Sequence, residues 1–276
     1  MHPSDLSKHI AITGAAGSLA SDIIPGLIGL GYDIVGVDQS DEANELCSKW
    51  VRCSIADRRW LLPAFADCGA VVHLAGIPLE TDWDRLLRAN IDGTQSVLEA
   101  ARLQGVKRVI LASSIHATGF VPIPPSGRVA DDAIARPNTF YGVTKAAVEA
   151  LGSMYHDRYE MDVICLRIAS RCSSPENERM LSTWLSPADA VRLIDASLTT
   201  QSPGFRTVWG VSANTRGYLS TIGGEDIGFI PRDDAEDHAD ALFEASVQDS
   251  KLLASEWDRQ FIGGIFSSPN PPRFGR

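Results

Sequence analysis

Lys8 to Thr13 (KHIAIT) is a short β-branched run that breaks into Gly14, Ala15, Ala16, Gly17, Ser18, Leu19 and Ala20 before a helical pattern runs on to Leu30. Strand, glycine turn and helix in this order have the sequence form of a phosphate cradle. Small residues let a pyrophosphate approach the backbone, and the helix N-terminus supplies N–H groups and the positive end of its dipole. The spacing is T-G-x-x-G-x-x-A, with Ala20 where a third glycine is common, a substitution that close helix–strand contact tolerates. Gly14, Ala16, Gly17, Ser18 and Leu19 are the candidate phosphate contacts. A tight strand–helix turn without a ligand is the competing reading.

The next apolar run, Tyr32 to Val37, ends in Asp38, followed by Gln39 and Ser40. A carboxylate at this distance from the glycines accepts hydrogen bonds from both ribose hydroxyls of an adenosine, whereas a 2'-phosphate would meet it charge against charge. With no Arg or Lys directly after Asp38, this favours NAD over NADP. The alternative is that Asp38 caps a helix over residues 41–49. WVRCSIADR reads as a third strand running into a helix start, with Ser54 and Ile55 near the adenine. GAVVHLAG is a fourth strand whose near-continuous apolar run suits a parallel sheet covered on both faces. Leu74, Ala75 and Gly76 at its end leave room for a cofactor, and His73 reads as a hydrogen-bonded core residue.

Apolar positions from Asp82 to Gln104 describe one long amphipathic helix stopped by Gly105. Asn90 lies on its buried side and needs partners, so it either bonds a kinked backbone or orders water. VKRVILASS, a fifth strand, delivers Ser113 and Ser114 to the crevice at the strand ends. In FYGVTK, Tyr141 and Lys145 stand one helical turn apart on one face. A free phenol has a pKa of about 10, and a nearby ammonium favours the phenolate, which makes Tyr141 a candidate base.

The net charge of -10 argues against nucleic acid or an anionic membrane as partner, so an anionic ligand needs a locally placed cation. Five cysteines without a C-x-x-C pair point to reduced thiols, with no metal site expected. With no long apolar segment, the chain reads as a soluble cytoplasmic protein.

TGAAGSLA, the strand ending in Asp38, HLAG, Asn90, ASSIHATG and YGVTK, in this order and spacing, make residues 1–170 resemble an extended short-chain dehydrogenase/reductase. The resemblance implies that Tyr141 is the acid/base, that Lys145 lowers its pKa and holds the nicotinamide ribose, and that Ser114, with Ser113 as fallback, positions the substrate oxygen. It also implies NAD as cofactor, adding Ile168 and Asn90 to the contacts already named. SSIHATGF, ARPNTFYGVTK, VICLRIAS, ERMLSTWLSPADAV and FRTVWGVSAN resemble, more narrowly, the uronate dehydrogenase family. That likeness implies oxidation of a sugar acid at its anomeric carbon to a lactone. It implies substrate contacts at Ser114, Ile115, His116, Tyr141 and Ser170, with Arg179 clamping the carboxylate. A guanidinium is suited to that task, although Arg179 in a Glu-rich loop also reads as a surface residue. Pro78 and Ile115 stand where the family has polar residues, and Ser54 where it commonly has an acid.

After MDVICLRIAS, a sixth strand, the chain leaves the sheet. RCSSPENER reads as a loop at the crevice mouth, a candidate lid. SPADAVRLIDASL is a helix with Ser186 as N-cap and Pro187 at its first position, FRTVWGVSA is a strand, DDAEDHADALFEA reads as a solvated helix face, and SSPNPPRFGR as an extended end. The expected fold is α/β, a doubly wound parallel sheet of Rossmann type with a small discontinuous C-terminal substrate region. Residues 1–170 would bind NAD, and residues 171–276 the small-molecule sugar acid, in a homo-oligomer. A nucleotide-sugar epimerase or dehydratase and a non-catalytic NAD sensor are the rival readings.

Overall fold

The computed structural model describes residues 8–201 and 203–272. β1 (His9–Thr13) leads through the glycine turn into α1 (Ser18–Gly29), followed by β2 (Asp33–Asp38), β3 (Lys49–Arg52), α2 (Arg58–Phe65) and β4 (Ala70–His73). α3 (Trp83–Leu86) and α4 (Gly93–Leu103) flank a π-helical stretch, Leu87–Asp92. β5 (Arg108–Ser114), α5 (Phe140–Tyr159) and β6 (Asp162–Ile168) follow. The short β7 (Ser170–Arg171), α6 (Met180–Thr183) and β8 (Trp184–Leu185) lead to α7 (Pro187–Thr199) and β9 (Phe205–Gly210). α8 (Ile222–Asp226), α9 (Ala239–Ser246) and α10 (Glu256–Gln260) complete the regular elements, with 3₁₀ turns between them.

Seven strands form one parallel sheet in the order β3-β2-β1-β4-β5-β6-β9. Their side chains alternate between two apolar layers, as a twofold strand period requires. Ile10 and Ile12 of β1 and Ile164 and Leu166 of β6 pack with Ile23, Leu27, Leu193 and Ile194 of α1 and α7. Ala11, Val163 and Cys165 point the other way, to Leu61, Phe65, Val97, Leu98 and Val148 of α2, α4 and α5. This is the doubly wound sheet the sequence predicts. After residue 170 the chain returns α7 to one face and β9 to the sheet edge.

Several local expectations change. Residues 41–48 form turns and bends rather than a helix, so Asp38 has no helix there to cap. The long helix over 82–104 is interrupted by the π-helical stretch, in which Asn90 is 1% exposed. The acidic run is more than a solvated face: Asp234 accepts from Thr215 N at 2.9 Å and Glu236 N at 3.0 Å, and Glu236 pairs with Arg216 at 2.6 Å. Ser186 caps α7 as read, accepting from Asp189 N at 2.9 Å with Pro187 in the first turn. Residues 273–276 of the proline-rich end lie outside the described residues, while Ser267 closes a 3₁₀ turn, Gly264–Ser267. No helix among the described residues is long and apolar enough to cross a membrane.

A buried ion pair joins α5 to the sheet. Arg167 of β6 donates to Glu149 at 2.9 and 2.8 Å, and Ser113 of β5 donates to the same carboxylate at 2.6 Å. Arg167 also holds the carbonyls of Asp131 and Ala133, on the segment between β5 and α5. Removing one partner of such a pair strands a buried charge. Arg167→Leu should therefore cost about 3–5 kcal/mol of stability in urea unfolding, and adding Glu149→Leu should restore much of it.

Candidate active site

β1 and β4 are neighbours in the sheet, but their connections leave to opposite sides, which opens a crevice at their carboxyl ends. A cavity of about 1070 Å³ begins there and runs from Asp38 to Arg179. Gly14 makes its floor possible: φ is +73°, and a Cβ there would stand 2.7 Å from Ala75 N. Gly17, the N-cap of α1, brings no side chain to the first-turn N–H groups, and that turn contains no acidic residue. Those donors are left for an anion, which is the fit a pyrophosphate needs. Asp38 lines the same cavity, its carboxylate oriented by Ala16 N at 3.1 Å and Ser40 N at 3.0 Å.

The remaining predicted cofactor positions divide cleanly. Gly14, Gly17, Ser18, Leu19, Gln39, Ser54, Ile55, Leu74, Ala75, Gly76, Ser113 and Ile168 all line the cavity. Ala16 and Asn90 do not, and both work from behind the wall. Ala16 acts through Asp38. Asn90 grips the backbone of Ile77 in both directions, accepting from its N–H at 2.7 Å and donating to its carbonyl at 3.0 Å. Its amide also donates to Thr144 Oγ1 at 3.0 Å. The open choice for Asn90 thus falls to backbone bonding. His73 is a satisfied core residue, held by Thr13 at 2.7 Å and Thr94 at 3.0 Å and kept neutral by burial, which lowers its pKa to about 3.

Tyr141 lies in the first turn of α5, whose N-terminus is capped twice. Thr139 Oγ1 accepts from Gly142 N at 2.9 Å, and the buried Glu80 carboxylate accepts from Phe140 N at 3.3 Å and Tyr141 N at 2.8 Å. Lys145, one turn on, donates from Nζ to the Ala112 carbonyl at 2.7 Å and sits 5.6 Å from the Tyr141 ring centroid. Burial pushes the Tyr141 phenol up to about 12, against the opposing effect of its Ser114 hydrogen bond, and pushes Lys145 down to about 8. The phenol is therefore raised, where the sequence predicts a lowering, burial outweighing the Ser114 hydrogen bond. Of the two serines, Ser113 has committed its proton to Glu149, so Ser114 is the hydroxyl beside Tyr141.

Ile115, His116, Ser170 and Arg179 line the far end of the cavity. Ile115 is 2% exposed and packs with Val129 and Trp209, so it brings apolar bulk rather than a donor. Arg179 donates from Nη2 to the Ile262 carbonyl at 2.6 Å and from Nη1 to Ser170 Oγ at 3.3 Å, with Nε 3.6 Å from Asp258. Those partners fix the guanidinium plane and leave it further N–H donors. Its loop is tied down at Glu178, whose N–H donates to Leu252 O at 2.7 Å and whose carboxylate accepts from Ala254 N at 2.7 Å. Sequence reasoning missed Glu80, Asn138 and Phe266. Phe266 lines the cavity beside His116, at 4.9 Å between ring centroids.

Residues 10–207 match the NAD dependent epimerase/dehydratase family. The uronate dehydrogenase of Agrobacterium fabrum is 37% identical over 83% of this chain and 86% of its own length. That of Pseudomonas putida is 33% identical over 96% of this chain and 97% of its own. A crystal structure of uronate dehydrogenase from Agrobacterium tumefaciens, a tyrosine-to-alanine mutant complexed with NAD, superposes with a TM-score of 0.84 at 32% identity, covering 96% of this chain and 99% of that one.

The Asp38 carboxylate, already oriented by two backbone N–H groups, would meet a 2'-phosphate as an unrelieved like charge. In binding titrations NAD should be preferred to NADP by at least ~10-fold, and Asp38→Ser should shrink that ratio. Equal affinities in the unaltered chain would count against this placement of the ribose.

Proposed function

The chain belongs to the NAD dependent epimerase/dehydratase family, and from that premise we propose that it is an NAD-dependent dehydrogenase that oxidises a uronate-like sugar acid at its anomeric carbon to the lactone. The observation that carries the reading is that Arg179 and Tyr141 face one cavity, a fixed cation and a buried phenol beside Ser114, both at the end away from Asp38. The uronate dehydrogenase relatives share most of the chain's length with it, including the loop that carries Arg179.

In this scheme Arg179 takes the sugar carboxylate, and Ser114 holds the anomeric oxygen against Tyr141. Tyr141, as phenolate, accepts the hydroxyl proton while the C1–H bond breaks and a carbonyl forms at C1. NAD, when bound, accepts the hydride that leaves C1. Lys145 is held by the Ala112 carbonyl beside Tyr141 and presents a positive charge that favours the phenolate. Glu80 fixes the register of the first turn of α5, and with it the direction of the phenol. Gly14 to Leu19, Asp38, Gln39, Ser54, Ile55, Leu74 to Gly76 and Ile168 would hold the cofactor. Residues up to 170 would supply the cofactor half and the catalytic groups, and later residues Arg179 and the wall behind it. The five free cysteines and the acidic balance suit a cytoplasmic enzyme, and we expect a homo-oligomer.

The direct test is a panel of sugar acids and neutral aldoses assayed with NAD by absorbance at 340 nm; no turnover of any sugar acid would reject the reading. Tyr141→Phe should lower kcat by ~100-fold or more while leaving NAD affinity nearly intact. Because burial raises the phenol pKa, kcat/KM should climb as pH rises through neutrality, and the variant's residual rate should lose that limb. Arg179→Ala should reduce kcat/KM by ~30- to 1000-fold for a uronate and scarcely at all for the matching neutral aldose. An equal loss on both sugars would place the carboxylate elsewhere.

A further inference from the structure

We propose that Asn138 and Ser267 are positioning residues that hold His116 in its Nδ1–H tautomer, so that a bare Nε2 meets the substrate as an acceptor and reads a sugar hydroxyl. The proposal rests on the sugar-acid reading above and adds a specificity device to it.

His116 belongs to the 3₁₀ turn Ile115–Thr118 and is half-buried on the cavity wall. Its Nδ1 lies 3.0 Å from Asn138 Oδ1. An amide oxygen only accepts, so the proton of the neutral ring sits on Nδ1 and the lone pair on Nε2. Which way the amide points is decided one step further out. Asn138 Nδ2 donates to Ser267 Oγ at 3.0 Å, and Ser267 gives its single proton to the Gly119 carbonyl at 3.1 Å. With the amide reversed, Ser267 would have to turn that proton to Asn138, and the buried bond to Gly119 would be lost. The amide also sits in a fitted slot. A Cβ on Gly119 would fall 2.1 Å from Asn138 Oδ1, and one on Gly263 would fall 2.2 Å from Asn138 Nδ2. Two backbones distant in sequence thus clamp one side chain, and neither tolerates a larger residue.

The groups around the ring keep it neutral. Asn138 is uncharged, Tyr141 approaches edge-on at 6.0 Å and Phe266 at 4.9 Å, and Arg179 is the charged group that acts on it. Burial first, and Arg179 second, push the His116 pKa down to about 4. A neutral acceptor favours a hydroxyl and repels a carboxylate or carbonyl oxygen, lone pair against lone pair. Arg179, a fixed cation, prefers the carboxylate. Together the two side chains would admit a sugar acid in one orientation, with the carboxylate at Arg179 and a hydroxyl at His116.

The tautomer is read directly in the full chain by long-range proton–nitrogen NMR with ¹⁵N-labelled histidine, His116 being assigned by the signal lost in His116→Gln. The expected result is a protonated Nδ1 and an unprotonated Nε2, unchanged from about pH 8 to about pH 6. Asn138→Asp sets a carboxylate against Nδ1, so the ring should then titrate within that range, and KM for the uronate should rise ~10-fold as pH falls while KM for NAD stays level. Ser267→Ala releases the amide and should give a mixture of tautomers, which serves if Asn138→Asp does not fold. A protonated Nε2 in the unaltered protein would overturn the proposal. So would an Asn138→Asp ring that titrates while KM stays flat, or a Ser267→Ala ring that keeps one tautomer. If no sugar acid is oxidised at all, the functional reading fails, and the NMR still decides the tautomer.

Discussion

Everything in this molecule depends on one place where two backbones touch. The turn at Gly14 passes so close to the Leu74–Ala75 backbone that a Cβ there would lie 2.7 Å from Ala75 N, and any side chain would force the two strand ends apart. Because the contact is closed, the uncapped N-terminus of α1 and the open ends of β4, β5 and β6 face a common space. Sheet order then fixes what meets what. β1 and β2 bring Asp38 to one end of the cavity, while β5 and β6 bring Ser114 and Ile168 to the other.

The chemistry of that space is set by burial acting on two groups in opposite directions. It raises Tyr141 and lowers Lys145, so both are drawn toward their neutral forms. A cavity that disfavours charge on both groups is one in which a cation placed beside the phenol would favour its ionised form more than it would in water. The hydrogen bond from Lys145 to Ala112 O fixes the ammonium beside the phenol all the same.

What could be read in the sequence is what local spacing encodes. Gly14 and Gly17 after a strand, Asp38 at the next strand end, and Tyr141 one turn before Lys145 each announce themselves within a few residues. Roles that need a distant partner were not legible. Glu80 means nothing until α5 is seen ending on it, 61 residues away, and Asn138 reaches Ser267 across 129. Asn90 was visible as an oddity, but periodicity alone could not show that a π-helical stretch turns its amide onto Ile77. Arg179 was found through family likeness, and its engagement with Asp258 and Ile262 was not. The same limit explains the helix expected at 41–49, where a polar stretch offered no pattern strong enough to decide between helix and turn.

The far wall of the cavity is drawn from the last part of the chain: Ile262 holds Arg179, Phe266 packs on His116, and Ser267 closes over Gly119. During synthesis the strands from β1 to β6 emerge long before these residues do. The layers around β1 to β6 can therefore gather on the ribosome before the wall at Ile262 to Ser267 has been made. Contacts of such large sequence separation are slow to close and are among the last to form. A nascent chain would thus set the crevice around Asp38 before the wall that faces His116 and Arg179 exists.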